Sequence, residues 1–184
     1  PLGCYGDGGA IFTDNDELAE LLKSIRIHGK GTEKYDNIRI GLNSRLDTIQ
    51  AAILLPKLKA FKKYELQKRN EIAYRYTESL KDKYTTSFVL DNMQSSWAQY
   101  TLLLNNEEER NALQLKLKEH NIPSMIYYPK PLHLQTCYKD FGHSEGYLVN
   151  AEKASKCVLS LPMSPWIDWH DLEKVICKVL NNGK

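Results

Sequence analysis

Two apolar runs, Trp97-Ala-Gln-Tyr-Thr-Leu-Leu-Leu104 and Ser124-Met-Ile-Tyr-Tyr128, stand on either side of a helical pattern and decide the fold class. Each is short, apolar and partly aromatic, which is the composition of a strand. Between them Asn106 offers a capping side chain, and a helix over 107–119 is expected to rest on Ala112, Leu113 and Leu117. Asn121-Ile-Pro123 ends that helix, because proline has no N–H to give to the ladder. Strand, helix, strand reads as a compact β-α-β unit, and the expectation is an α/β protein. The stiff loop Pro129-Lys130-Pro131-Leu132-His133 follows the second strand, where α/β units often hold ligands.

Toward the C-terminus, Asn150 to Leu159 reads as a short helix and Ser160-Leu-Pro-Met-Ser-Pro165 as a rigid connection. Asp168 and Asp171 have capping-box spacing ahead of a last helix striped with Leu172, Val175, Ile176 and Val179. Toward the N-terminus, residues 81–95 are rich in Thr, Ser, Asn and Asp and read as a hinge. Before them a helix over 58–80 carries Ile72, Tyr76 and Leu80 on one side, and Pro56 is expected to kink or break the helix that precedes it.

That preceding helix is expected to start at Arg45, with Ser44 and Asp47 as its capping box and Leu46, Ile49 and Ile53 on its buried face. Asn43 and Arg45 would then flank free helical N–H groups, where an anion is favoured; a capped first turn facing water fits the same pattern. Further back, Asp14 and Asn15 offer caps for a helix over 16–27 with Leu18, Leu21, Leu22 and Ile25 in one stripe, ended by His28-Gly29-Lys30-Gly31. A polar loop runs on to Asn37 and the short extended Ile38-Arg39-Ile40. The chain opens on Pro1-Leu-Gly-Cys-Tyr-Gly-Asp-Gly-Gly-Ala-Ile-Phe-Thr13, a glycine-rich run leading into a strand-like segment from Ala10. Such a run serves a tight turn or a backbone passing close to something bulky.

Composition narrows the function classes. Across 184 residues, 42% are hydrophobic and 26% charged, ordinary values for a folded domain with a core. A net charge of +2 gives no argument for nucleic acid or a membrane surface as partner. Cys4, Cys137, Cys157 and Cys177 form no Cys-x-x-Cys pair, and the histidines form no metal-ligand spacing, so no metal is expected. The cysteines read as reduced thiols of a cytoplasmic protein.

Four stretches carry a resemblance that spans the whole chain in order. Pro1-Leu-Gly-Cys-Tyr-Gly-Asp-Gly-Gly-Ala10, Gly41-Leu-Asn-Ser-Arg-Leu-Asp-Thr-Ile-Gln-Ala-Ala52, Tyr127-Tyr-Pro-Lys-Pro-Leu-His133 and Ser160-Leu-Pro-Met163 together resemble the DegT-type (StrS-like) sugar-nucleotide aminotransferases. The resemblance implies the C-terminal part of the PLP-dependent aspartate-aminotransferase fold (fold type I). Residues 1–80 would be the remainder of the large PLP-binding domain with linking helices, and 81–184 the small α/β domain.

The resemblance also implies pyridoxal 5'-phosphate (PLP) as cofactor. It places the Schiff-base lysine immediately before Pro1, so no catalytic residue is expected within 1–184; the sequence would begin at a truncation or just after a modified lysine. It makes Asn43 the residue that reaches the PLP phosphate of the other subunit in a homodimer. Arg45, Tyr127, Tyr128 and His133 become the substrate-binding candidates, His133 with a packed loop histidine as its alternative. The implied reaction moves an amino group from glutamate to a keto group of a nucleotide-linked sugar, with a UDP-linked 3-keto sugar of surface-polysaccharide pathways favoured. A PLP-dependent sugar dehydratase, with histidine in place of the lysine, and a non-catalytic regulatory relative are the competing expectations.

Overall fold

The computed structural model describes residues 2–181. Pro1, the first residue of the glycine-rich run, lies outside them. The described chain divides into two compact units, Leu2–Lys62 and residues 63–181.

The second unit holds the core. Its sheet has three strands in the order β1 (Thr85–Thr86), β2 (Tyr100–Leu103), β3 (Val158–Leu161), all antiparallel. Register puts Tyr100 opposite Leu161 and Leu102 opposite Leu159. Cross-strand partners share a face, and these four side chains are buried together. On the other face Thr101 pairs with Ser160, and their hydroxyls lie 2.8 Å apart.

Three helices complete the core: α3 (Leu66–Leu80), α4 (Glu107–Glu119) and α6 (Trp169–Leu180). Ile72, Tyr76 and Leu80 from the first, Leu113 and Leu117 from the second, and the expected Leu172, Val175, Ile176 and Val179 from the third are all buried. The caps read from the sequence hold α4 and α6: Asn106 Oδ1 accepts the Glu109 N–H at 2.8 Å, and Asp168 Oδ1 accepts that of Asp171 at 2.8 Å. Ala112 is exposed, and Arg110 takes the buried place beside Leu113. The expected division at residue 80 falls at the end of α3, whose apolar side lies in this core.

Two expectations for the sheet are corrected. Ser124–Tyr128 forms no strand of its own but makes one antiparallel bridge, Met125 to Ser160. Residues 158–161, expected as helix end and rigid connection, are β3, which pairs with β2 on one side and takes the Met125 bridge on the other. Because β2 and Met125 both run antiparallel to Ser160, they run parallel to each other with β3 between them, a split β-α-β arrangement. Val158-Leu-Ser-Leu161 follows α5 (Val149–Cys157) without a turn, and a short buried apolar run has no periodicity that separates it from helix. Residues 81–95 are no hinge within this unit, since Tyr84 is buried and Thr85–Thr86 pairs with β2.

The first unit contains α1 (Asp16–Ile25) and α2 (Thr48–Ala60). Neither helix has a buried residue. Ile49, expected to be buried, is 69% exposed, and the strand-like Ile11 and Phe12 are exposed without strand pairing. Between the helices an extended ribbon doubles back, with bridges Ile27–Asn43 and Lys30–Asn37. Two glycines make this crossing possible. A Cβ on Gly29 would stand 1.8 Å from the Arg39 carbonyl oxygen, and one on Gly41 would stand 2.0 Å from the Gly29 nitrogen.

The start of α2 also differs from expectation. Asp47, not Ser44, is its N-cap and accepts the Ile49 N–H at 2.8 Å. The Ser44 N–H is already committed to the Arg26 carbonyl, so the ribbon holds this stretch extended until Asp47. Pro56 does not break the helix, which continues to Ala60 and passes into a π-helical turn, Phe61–Glu65.

Candidate active-site segments

In the first unit the glycine-rich opening lies along the first turns of α2. The Tyr5 N–H donates to Gln50 Oε1 at 2.8 Å. Cβ atoms built on Gly6 and Gly8 would stand 3.2 Å from the Gln50 amide and from Leu46, and side chains there would crowd the helix. The two long motifs, one opening the chain and one from Gly41 to Ala52, are therefore in contact. Sequence reasoning missed Gln50, although it sits inside the second motif.

Asn43 and Arg45 are both exposed. Asn43 is fixed by its backbone bridge to Ile27 and lies four positions before the Asp47 cap. Neither residue therefore flanks the helical N–H groups as expected. What they offer is a side-chain amide and a guanidinium, each a donor suited to phosphate or carboxylate oxygen. In the glycine-rich run, Gly9 has nothing within 4 Å of the place a Cβ would take.

In the second unit, Tyr127 and Tyr128 lead the third motif. Tyr127 is 40% exposed and Tyr128 79%, with ring centroids 6.4 Å apart. Tyr128 has φ +56°, a left-handed conformation that costs a tyrosine energy, and such strain concentrates where a side chain must be aimed. Tyr127 lines a cleft of about 200 Å³ with Gln99, Ser124, Met125, Pro162 and Met163. The fourth motif thus supplies one wall of the cleft that the third motif borders, joined by the Met125–Ser160 bridge.

The Ala98–Gln99 part of the cleft is held from behind by α3 through Trp97. The Arg69 guanidinium donates to the Trp97 carbonyl at 3.0 Å, and Trp97 Nε1–H donates to Asn70 Oδ1 at 3.1 Å. Trp97 itself sits at φ +44° and packs against Tyr100 with the rings tilted by 35°, their centroids 5.5 Å apart. Two polar side chains of one helix hold this strained residue and so fix Ala98 and Gln99 at the cleft. The Tyr76 hydroxyl donates to the Pro162 carbonyl at 2.9 Å, and burial pushes that phenol's pKa well above its ordinary value.

His133 does not line the cleft. Its side chain is 5% exposed, and Nε2 lies 3.0 Å from Glu152 Oε1. The Glu152 carboxylate also accepts the Gly146 N–H at 2.9 Å and the Leu148 N–H at 3.2 Å. These donors, Gly146 first, hold its pKa below the usual carboxylate value against the opposing effect of burial. Glu152 was not singled out in the sequence, where it is one acidic residue among several. Among the described residues no cluster of three or more metal-ligating side chains occurs, and no helix is long and apolar enough to cross a membrane.

The profile of the DegT/DnrJ/EryC1/StrS aminotransferase family matches residues 1–180. The chain belongs to this family. DegT/DnrJ/EryC1/StrS aminotransferases are PLP enzymes. The chain is 45% identical over 183 residues to the UDP-2-acetamido-2-deoxy-3-oxo-D-glucuronate aminotransferase of Pseudomonas aeruginosa, covering 99% of this chain and 48% of that protein. It is 42% identical to a pleiotropic regulatory protein of Geobacillus stearothermophilus, over 97% of this chain and 48% of that one.

Among solved structures, a family aminotransferase from Brucella abortus superposes with a TM-score of 0.90 at 48% identity, covering 100% of this chain and 48% of its own. S. venezuelae DesV, in complex with a ketimine intermediate, superposes with a TM-score of 0.87 at 33% identity, over 96% of this chain and 47% of its own. The chain thus spans about half the length of the curated relatives it matches, and its mixed α/β fold is that of DegT-type aminotransferases.

Proposed function

We propose that the protein is a PLP-dependent sugar-nucleotide aminotransferase that moves an amino group from glutamate to the keto group of a UDP-linked 3-keto sugar. The observation that carries this reading is the 45% identity, over nearly all of this chain, to a relative named for a UDP-linked 3-oxo-glucuronate substrate. We place the enzyme in the cytoplasm, as a homodimer whose small domain holds α3 together with residues 81–184. Its Schiff-base lysine directly precedes Pro1.

The residues present fit the cofactor. The glycine run leaves open space at Gly9, and Asn43 presents an exposed amide donor that can reach a phosphate oxygen of PLP across the dimer. PLP, when bound, supplies the electron sink that makes the amino acid's α-proton labile. This chain's part is binding and orientation. The Arg45 guanidinium pairs with a phosphate or carboxylate of the nucleotide sugar. Tyr127 and Tyr128 stand at the substrate mouth, each with an apolar ring to cover sugar and a hydroxyl to bond it. His133 acts on the substrate only through the loop it anchors.

Addition of glutamate to the full-length, PLP-loaded protein should abolish the visible absorbance of the bound cofactor, and keto sugar should restore it. A cofactor band that glutamate leaves unchanged would contradict the reading. That outcome would favour a regulatory role, the second reading, for which the name of the Geobacillus stearothermophilus relative is the supporting observation.

A further inference from the structure

The third motif is held just before its start and at its end. Met125 exchanges backbone hydrogen bonds with Ser160 in β3, at 3.1 and 2.8 Å. At the other end His133 is buried against Glu152. Between the anchors, Pro129 and Pro131 restrict the backbone, and Tyr128 is strained at φ +56°. The far end is also tightened from within, since Gln135 Nε2–H donates to the Lys130 carbonyl at 3.1 Å and the Leu134 N–H to that of Pro131 at 3.0 Å. A segment this stiff passes displacement from one anchor to the residues before it.

Glu152 is the point where three stretches of chain meet. It belongs to the first turns of α5, takes the Gly146 and Leu148 N–H groups of the preceding loop, and takes His133 Nε2–H from the third motif. Its side chain is only 12% exposed. A partly covered carboxylate with several donors fixes its neighbours more firmly than any one bond would, and removing its charge leaves the donors short of an acceptor. His133 Nδ1 is buried without a partner among the described residues, so the Glu152 bond is what fixes this ring.

We propose that Glu152 is a positioning residue: through His133 it holds the Tyr127–Tyr128 pair in the strained arrangement that receives the sugar nucleotide. It touches no substrate. Its role is to keep the far end of the motif from relaxing, which would let Tyr128 leave the left-handed region and carry Tyr127, which lines the cleft, out of place. The kinetic part of this proposal rests on the aminotransferase reading, and the structural part does not.

The test uses full-length protein carrying Glu152→Gln, which keeps the side chain's size, and separately His133→Gln. Hydrogen exchange should quicken by about tenfold or more at the amides of 127–134 in both variants, while those of β2 and β3 keep their protection. In Glu152→Gln the KM for the UDP-linked keto sugar should rise by about tenfold, while the glutamate half-reaction stays within about twofold of the parent. Unchanged exchange at 127–134, or an equal rise in β2 and β3, overturns the latch. An equal loss in both half-reactions overturns its positioning role. Local exchange as expected in a protein that aminates no nucleotide sugar leaves the latch standing and removes the proposed substrate.

Discussion

Gly29 and Gly41 are the residues on which the first unit's backbone depends most directly. The ribbon brings two main-chain segments so close that a single added carbon at either position would overlap backbone atoms at 1.8 to 2.6 Å. Backbone cannot step aside as a flexible side chain can. Gly41→Ala is expected to destabilise the full-length protein by more than about 2 kcal/mol, whereas Gly9→Ala, with open space around it, should change stability by less than about 1 kcal/mol. Urea midpoints of the two variants check the contrast. Glu152 makes a different kind of prediction. Its folded pKa lies below the ordinary 4.5, so the stability it contributes is complete above that value and is lost as pH falls through the lowered one. The parent's thermal midpoint should therefore fall more steeply than that of Glu152→Gln as pH drops below about 4.5. Parallel curves would show that the carboxylate's bonds contribute nothing to acid stability.

At the scale of elements, legibility followed local chemistry. The helices α4 and α6 could be read to their caps because Asn106 and Asp168 announce them and the stripes that follow are regular. β3 could not be read. Its place is decided by pairing with β2 and Met125, far away in sequence, and nothing in Val158-Leu-Ser-Leu161 states which strand will sit beside it. The start of α2 departs from its local signal for the same reason: the Ser44 N–H bond to the Arg26 carbonyl outweighs a capping box at Ser44. Pro56 is an element-level anomaly. Proline inside a helix costs about 3 kcal/mol against alanine when nothing compensates, yet α2 runs through it. Pro56→Ala should therefore raise the urea midpoint of the full-length protein, by an amount equivalent to about 1–3 kcal/mol. A lowered midpoint would mean that the π-helical turn Phe61–Glu65 depends on the proline.

For the whole molecule, the two units differ in what they can do alone. Every side chain of the buried hydrophobic cluster belongs to residues 72–179, while α1 and α2 bury none of theirs. A fragment of residues 63–184 is expected to unfold cooperatively with heat, and a fragment of residues 1–62 to show no cooperative transition by circular dichroism, because it lacks a core to offset its chain entropy. Cooperative melting of the smaller fragment would contradict that account. The site was legible to a similar, partial degree. The motif residues Asn43, Arg45, Tyr127 and Tyr128 stood out in the sequence and are exposed in the structure, whereas the residues that hold their surroundings did not stand out. Gln50, Arg69, Asn70 and Glu152 act through long-range contacts, and their identities as ordinary polar residues gave no signal.

Amino transfer to a nucleotide sugar can be followed by the fate of the nitrogen atom itself. The full-length protein with PLP is incubated with glutamate carrying heavy nitrogen and a UDP-linked 3-keto sugar, and the products are weighed by mass spectrometry. The account predicts a UDP-amino sugar bearing the heavy nitrogen, with an equal amount of 2-oxoglutarate. Recovery of the keto sugar unchanged, with the label still on glutamate, would contradict it.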